Sequence, residues 1–193
     1  MKRQKYLDWD TVIMGIAQLI SFRSKDPNTR HGAVIVDPDY KPLSMGYNGF
    51  ARGCSDDIFP WTSPEKYDYV VHAERNAIDN SLKSDLRGCR LYLWSEKGYL
   101  PCPQCAAGII QKGITEVIIA SRIKQDTNAF KWDPTIKMFE AAKVNIRILP
   151  NPIKGVELIV DEFENVKRLI KQVEGDRYDD KTCVCSGGPC SDV

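Results

Sequence analysis

Three residues of metal-ligand type, His72, Cys102 and Cys105, stand in two groups about thirty residues apart, and a useful fold has to bring them to one point. One histidine and two close cysteines hold a single Zn²⁺ and leave its fourth position open for water, which marks a catalytic zinc, whereas a structural zinc needs four closed protein ligands. Cys102 and Cys105 are three apart, so a helical turn puts both on one face. Pro101 and Pro103 flank the first cysteine. Proline is tolerated in a first helical turn, where the N–H groups have no intrahelical partner. The cysteines are therefore expected at a helix N-terminus, whose positive dipole end favours the thiolate that zinc requires. His72 is expected to open a second helix, with Glu74 in the same turn and able to face a water on the metal without being a ligand. His31, beside Thr29 and Arg30 just before an apolar run, reads as a strand-edge residue rather than a ligand.

Hydrophobic periodicity supplies the frame around this set. Ile13, Ile16, Ala17 and Ile20 fall on one face of a helix over 9–22, with Asp8 or Asp10 as its cap. A strand at 32–36, a Pro- and Asp-rich turn at 37–42 and a strand through Leu43, Met45 and Tyr47 predict a hairpin. Residues 48–68 have no period and read as a long ordered loop or lid, of the kind that is usually functional. A helix over 72–82, a strand over 91–94, a helix over 102–113 ending at Gly113 and a strand over 117–120 follow. The last elements are a helix over 134–143 with Ile136, Phe139 and Ala142 buried, a strand over 144–149 and a helix over 156–173. The alternation predicts an α/β chain, a three-layer α/β/α fold around a mixed five-stranded sheet. Residues 1–150 form its zinc-binding domain, and 151–193 a C-terminal helix and cysteine-containing tail.

With 193 residues, 42% of them hydrophobic and 27% charged, the chain suits one soluble domain. A net charge of +1 argues against a nucleic-acid footprint. No run reaches the length of a membrane span, and the start resembles no signal segment, so the cytoplasm is the expected location. Seven cysteines without a secretory context argue for thiols and metal ligands over disulfides. Cys89, opening an apolar strand, reads as a small buried hydrophobe.

The pattern H-x-E…P-C-x-x-C is the signature of zinc-dependent nucleobase deaminases, in which the glutamate carries protons. The segment Met45-Gly46-Tyr47-Asn48-Gly49-Phe50-Ala51-Arg52-Gly53-Cys54-Ser55-Asp56-Asp57, then Pro60-Trp61, resembles deoxycytidylate (dCMP) deaminases, as does Tyr69-Val70-Val71-His72-Ala73-Glu74-Arg75-Asn76-Ala77-Ile78. The resemblance runs from about residue 8 to about 150. It implies a cytidine-deaminase-like fold, usually hexameric, and hydrolysis of dCMP to dUMP for thymidylate synthesis, with Zn²⁺ on His72, Cys102 and Cys105 and Glu74 as the catalytic acid and base. It further implies that Asn48 bonds the sugar hydroxyl, with Ala73 also in the substrate-binding set. Activation by dCTP and inhibition by dTTP with Mg²⁺ are implied at a separate site near Gly46, Tyr47 and Gly49.

The 5′-phosphate is expected at Arg23-Ser24-Lys25, where a hydroxyl and cations suit a dianion. The competing reading is that Arg23 and Lys25 offset the dipole at the end of the first helix. The chain departs from the family pattern at Ser95–Leu100, a longer link into the zinc cysteines, at His31 in place of an expected valine, and over 123–133 with Phe130 and Trp132. Cys183, Cys185 and Cys190 could join Cys54 in a second zinc site, although C-x-C is an unusual spacing for zinc and chain ends are usually loose. Trp61, Trp94 and Trp132 read as core residues, with Trp61 the one to test for a lid role. Two other functions stay open. One is a zinc deaminase of another substrate (tRNA adenosine, guanine or a riboflavin precursor). The other is a non-catalytic nucleotide-binding protein, against which Glu74 argues.

Overall fold

The computed structural model describes residue 4, residues 6–121, residues 133–150 and residue 165. Helix α1 spans Trp9–Ser21, and Asp8 is its N-cap, accepting from the Thr11 N–H at 2.9 Å; such a cap contributes about 1 kcal/mol. The hairpin of β1 (His31–Val36) and β2 (Pro42–Tyr47) follows, antiparallel as expected. Then come β3 (Gly49–Phe50), β4 (Val70–Val71), α2 (Ala73–Asp79), β5 (Arg90–Ser95), α3 (Pro103–Gln111), β6 (Glu116–Ser121), α4 (Asp133–Ala142) and β7 (Asn145–Pro150).

The main sheet has the order β2-β1-β5-β6-β7. β1 runs antiparallel to β2 and β5, whereas β5, β6 and β7 are parallel to one another, so the sheet is mixed and five-stranded. Successive side chains of a strand point to opposite faces, and here both faces are covered. Ala33, Ile35, Leu91, Leu93, Val117 and Ile119 form a core with Ala73, Ala77, Ala106, Ile109 and Phe139 of the three later helices. Val34, Val36, Tyr92, Trp94 and Ile118 pack on Ile13, Met14 and Ala17 of α1. The result is the expected three-layer arrangement. No helix among the described residues is long and apolar enough to cross a membrane.

Several elements differ in detail from the sequence reading. Helix α2 stops at Asp79, three residues short of the expected end, because Asn80 turns away and its Nδ2 donates to the Met45 carbonyl at 3.1 Å. Leu82 is consequently exposed. In α4 the buried positions are Thr135 and Phe139, with Met138 packed alongside, whereas Ala142 is exposed. Thr135 Oγ1 donates to the Pro101 carbonyl at 2.9 Å, which rotates the helix toward the zinc cysteines. The segment 48–68 is more ordered than a bare loop: β3 pairs with β4, a 3-10 turn spans Glu65–Asp68, and Phe50 packs on Trp61 at 4.1 Å between ring centroids. Trp61 also donates its indole N–H to the Asp56 carbonyl at 3.2 Å. Trp94 is in the core. Phe130, Trp132 and the helix expected over 156–173 lie outside the described residues, Asn165 apart.

Close approach of α2 to β2 requires glycine at position 46. A Cβ there would stand 2.4 Å from the Ala77 nitrogen and 2.6 Å from the Ala73 carbonyl oxygen. The helix that starts at the metal group is thus laid directly on the strand that leads to Asn48.

Candidate active site

His72 is the N-cap of α2 and Cys102 the N-cap of α3, both in extended backbone, so the ligands project from the two helix starts. His72 Nδ1 lies 3.4 Å from Cys102 Sγ and 3.5 Å from Cys105 Sγ, and the three ligand atoms fall within 4.8 Å of one another. A tetrahedral ion with Zn–S and Zn–N bonds of ordinary length separates its sulfur and nitrogen ligands by about 3.6 Å. The donor set therefore fits Zn²⁺ in chemistry and in spacing. The Cys105 thiol and His72 both stabilise the Cys102 thiolate, holding Cys102 well below the usual thiol range, at about 4. Cys105, which donates to Cys102, is pushed up. A cation shared by both sulfurs satisfies the charge that this arrangement favours.

Glu74 is 5% exposed, and burial raises its carboxyl above the ordinary range, against the opposing pull of His72. Ala73, Glu74, His72 and Cys102 line one cavity of about 360 Å³. A raised carboxyl beside a ligand trio is suited to taking up and returning protons.

Asn48, buried, lines the same cavity. Its Oδ1 accepts from the His31 N–H at 2.8 Å, and its Nδ2 donates to the Thr29 carbonyl at 2.9 Å and to Asp26 Oδ2 at 3.4 Å. Both amide hydrogens are thereby used, and one Oδ1 lone pair remains. Ser24 stands behind it, donating to the Asn48 carbonyl at 2.7 Å. Arg23, Ser24 and Lys25 do not line this cavity. Arg23 and Lys25 line a second one of about 360 Å³ with Tyr47, Gly49 and Cys54, and Lys25 pairs with Asp56. Gly46 is not in that lining, because it lies against α2.

The cavity also holds residues that the sequence reading passed over. Asp26 and Lys66 form a buried ion pair in its wall, at 2.8 and 2.7 Å. A lone lysine in a loop gives no sequence signal, although Asp26-Pro27-Asn28-Thr29 reads as a turn in which the aspartate bonds the backbone ahead of it. His31 stands in the lining too, its ring stacked on Tyr99 at 6.2 Å. Burial first, and the charge of His72 second, lower His31 to about 4, so its ring is neutral at pH 7. Among the described residues the metal-ligand group consists of His72, Cys102 and Cys105 and leaves His31 out. Cys89 is buried, and burial raises its thiol. Cys54 is exposed, and Cys183, Cys185 and Cys190 lie outside the described residues.

Residues 7–121 match the family described as the cytidine and deoxycytidylate deaminase zinc-binding region. The deoxycytidylate deaminase of Pongo abelii is 44% identical over 172 residues, 86% of this chain and 91% of that protein. The probable deoxycytidylate deaminase of Drosophila melanogaster is 47% identical over 173 residues, 84% of this chain and 82% of that protein. The crystal structure of dCMP deaminase from the cyanophage S-TIM5 in complex with dCMP and dUMP shares the fold, with a TM-score of 0.55 at 24% identity, over 76% of this chain and all of that one. With its ligand trio, its buried glutamate and this match over most of its length, the chain belongs to the cytidine and deoxycytidylate deaminase family.

Proposed function

We propose that the chain hydrolyses dCMP to dUMP and ammonia, supplying dUMP for thymidylate synthesis. The observation that carries this reading is the buried Glu74 carboxyl sharing a cavity with His72 and Cys102 of the ligand trio. The names of relatives at 44 and 47% identity support dCMP as the substrate. Zn²⁺ on those three residues supplies a Lewis acid that brings the pKa of a water toward 7. Glu74 takes a proton from the attacking water and returns it to ring nitrogen N3. It then carries the second water proton to the 4-amino group, which leaves as ammonia while C4 becomes a carbonyl. Burial of the carboxyl keeps that proton from bulk water. Asn48 is assigned to the sugar hydroxyl through its remaining Oδ1 lone pair, and Ala73 to the wall beside the base.

Residues 1–150 act as the deaminase domain, with 151–193 appended. The chain works in the cytoplasm as a homo-oligomer, a hexamer by resemblance. An effector, dCTP as activator or dTTP with Mg²⁺ as inhibitor, binds at the second cavity by Tyr47 and Gly49, where Arg23 supplies positive charge for its phosphates.

The test is ammonia release from dCMP, CMP, deoxycytidine and dCTP, each with and without added dCTP or dTTP. dCMP is expected to be the preferred substrate, and a preference for deoxycytidine would overturn the nucleotide reading. Glu74→Gln is expected to lower kcat by about 10²- to 10⁴-fold, the range of general acid–base catalysis, while zinc stays bound. Undiminished turnover in that variant would refute the proton path.

A further inference from the structure

The link from β5 into the zinc cysteines, Ser95–Leu100, is a built loop and not slack. The Glu96 N–H donates to the Arg30 carbonyl at 3.2 Å, and Glu96 accepts from the Arg30 N–H at 3.3 Å and from the Arg30 guanidinium at 3.1 Å. The Gly98 N–H donates to the Ser95 carbonyl at 3.0 Å, closing a turn in which Gly98 takes φ 71°. Tyr99 stacks on His31. Fixed on both sides in this way, Lys97 lines the cavity that also holds Glu74, Asn28, Thr29 and Ser63.

Charge distinguishes Lys97 from the other cations nearby. Lys66 is neutralised by Asp26 and Arg30 by Glu96, while Lys25 pairs with Asp56 outside this cavity. Lys97 is exposed, and its ammonium makes no hydrogen bond or ion pair with the described residues. A substrate with a dianionic end, placed so that its base meets Glu74, needs a cation at the rim of this same cavity. The loop provides one, in a cavity that Thr29 and Ser63 also line.

We infer that Lys97 recognises the 5′-phosphate of the substrate, which makes the loop before Pro101 a specificity element; the inference rests on the reading of the substrate as dCMP. An ammonium–phosphate hydrogen bond is charge-assisted, and at an exposed rim it is screened by salt. The experiment compares kcat and KM for dCMP and deoxycytidine in the wild-type protein, Lys97→Ala and Lys97→Arg, at low and high ionic strength. Lys97→Ala is expected to lose at least tenfold of the preference for dCMP, chiefly through KM for dCMP, and to weaken the salt dependence of that KM. Lys97→Arg is expected to recover most of both. A wild-type KM for dCMP in Lys97→Ala would overturn the assignment and leave dCMP deamination standing. A wild-type protein that releases no ammonia from dCMP would instead overturn the substrate reading beneath it.

Discussion

The Asp26 carboxylate accepts from Lys66 Nζ at 2.8 and 2.7 Å, from the Asn28 N–H at 2.8 Å and from Asn48 Nδ2 at 3.4 Å. Its side chain is 4% exposed and that of Lys66 5%, so neither charge has water to fall back on. Removing one partner of such a pair leaves an uncompensated buried charge, at a cost of about 3–5 kcal/mol, whereas replacing both with apolar groups costs far less. Asp26→Ala is therefore expected to lower unfolding stability by that amount and to raise KM for dCMP, because Asn28 and Asn48 lose their anchor. Adding Lys66→Met is expected to restore most of the stability and not the KM. Urea denaturation with matched kinetics checks this, and an Asp26→Ala protein within about 1 kcal/mol of wild type would refute it. The ligand trio was legible in the sequence because zinc ligands come as few residue types at short spacings beside helix-starting prolines. The Asp26–Lys66 pair was not, since it joins residues 40 apart that carry no local pattern. Arg23, Ser24 and Lys25 have the composition of a phosphate site, but composition says nothing about which cavity a loop faces, and Arg23 and Lys25 line the second one.

Helix α1 is held to the far strand of the sheet by a charged network as well as by its apolar face. Arg147 of β7 pairs with Asp10, and Tyr92 of β5 donates its hydroxyl to Asp10 Oδ1 at 2.5 Å. The hydrogen bond from Arg147 is the main cause that lowers the Asp10 carboxyl below its ordinary 3.8, against a smaller desolvation penalty. A carboxyl depressed in the folded state stabilises the fold above its unfolded pKa, and the contribution is lost as pH falls through the folded value. With the groups a quarter to a third exposed, screening keeps the gain modest, about 1–2 kcal/mol. Asp10→Asn is expected to cost that much at pH 7, with the gap to wild type narrowing once pH drops below 3.8. A gap of equal size at pH 7 and pH 3 by urea titration would show that the charge is not its source. The strands and the start of α1 were readable from periodicity and from Asp8. The end of α2 and the buried side of α4 were not, because Asn80 and Thr135 bond to distant carbonyls, Met45 and Pro101, that no periodic pattern contains.

The layers and the mixed sheet follow from the alternation of elements, and yet the site depends on something that alternation leaves open: α2 and α3 lie on the same face with their N-termini adjacent. That placement needs Gly46, which lets α2 rest on β2, and the core of Ala73, Ala77, Ala106 and Ile109 between helices and sheet. A metal held by residues from both helix starts binds the folded chain and not the unfolded one, so it stabilises the whole domain by mass action, about 4 kcal/mol at a thousandfold excess over its Kd. For a chain of this length that corresponds to a Tm shift of roughly 8–16 °C. Stripping the protein with 1,10-phenanthroline is expected to lower Tm by about this amount and to abolish ammonia release, and Zn²⁺ is expected to restore both. The native protein is expected to carry one zinc per chain, and deletion of residues 183–193 to leave that number unchanged. Two zincs falling to one on deletion would instead place a second ion on Cys54, Cys183, Cys185 and Cys190. A Tm indifferent to the chelator while zinc is lost would mean that the unfolded chain binds the ion as tightly as the folded one, and would refute a site that only the folded pairing of the two helix starts assembles.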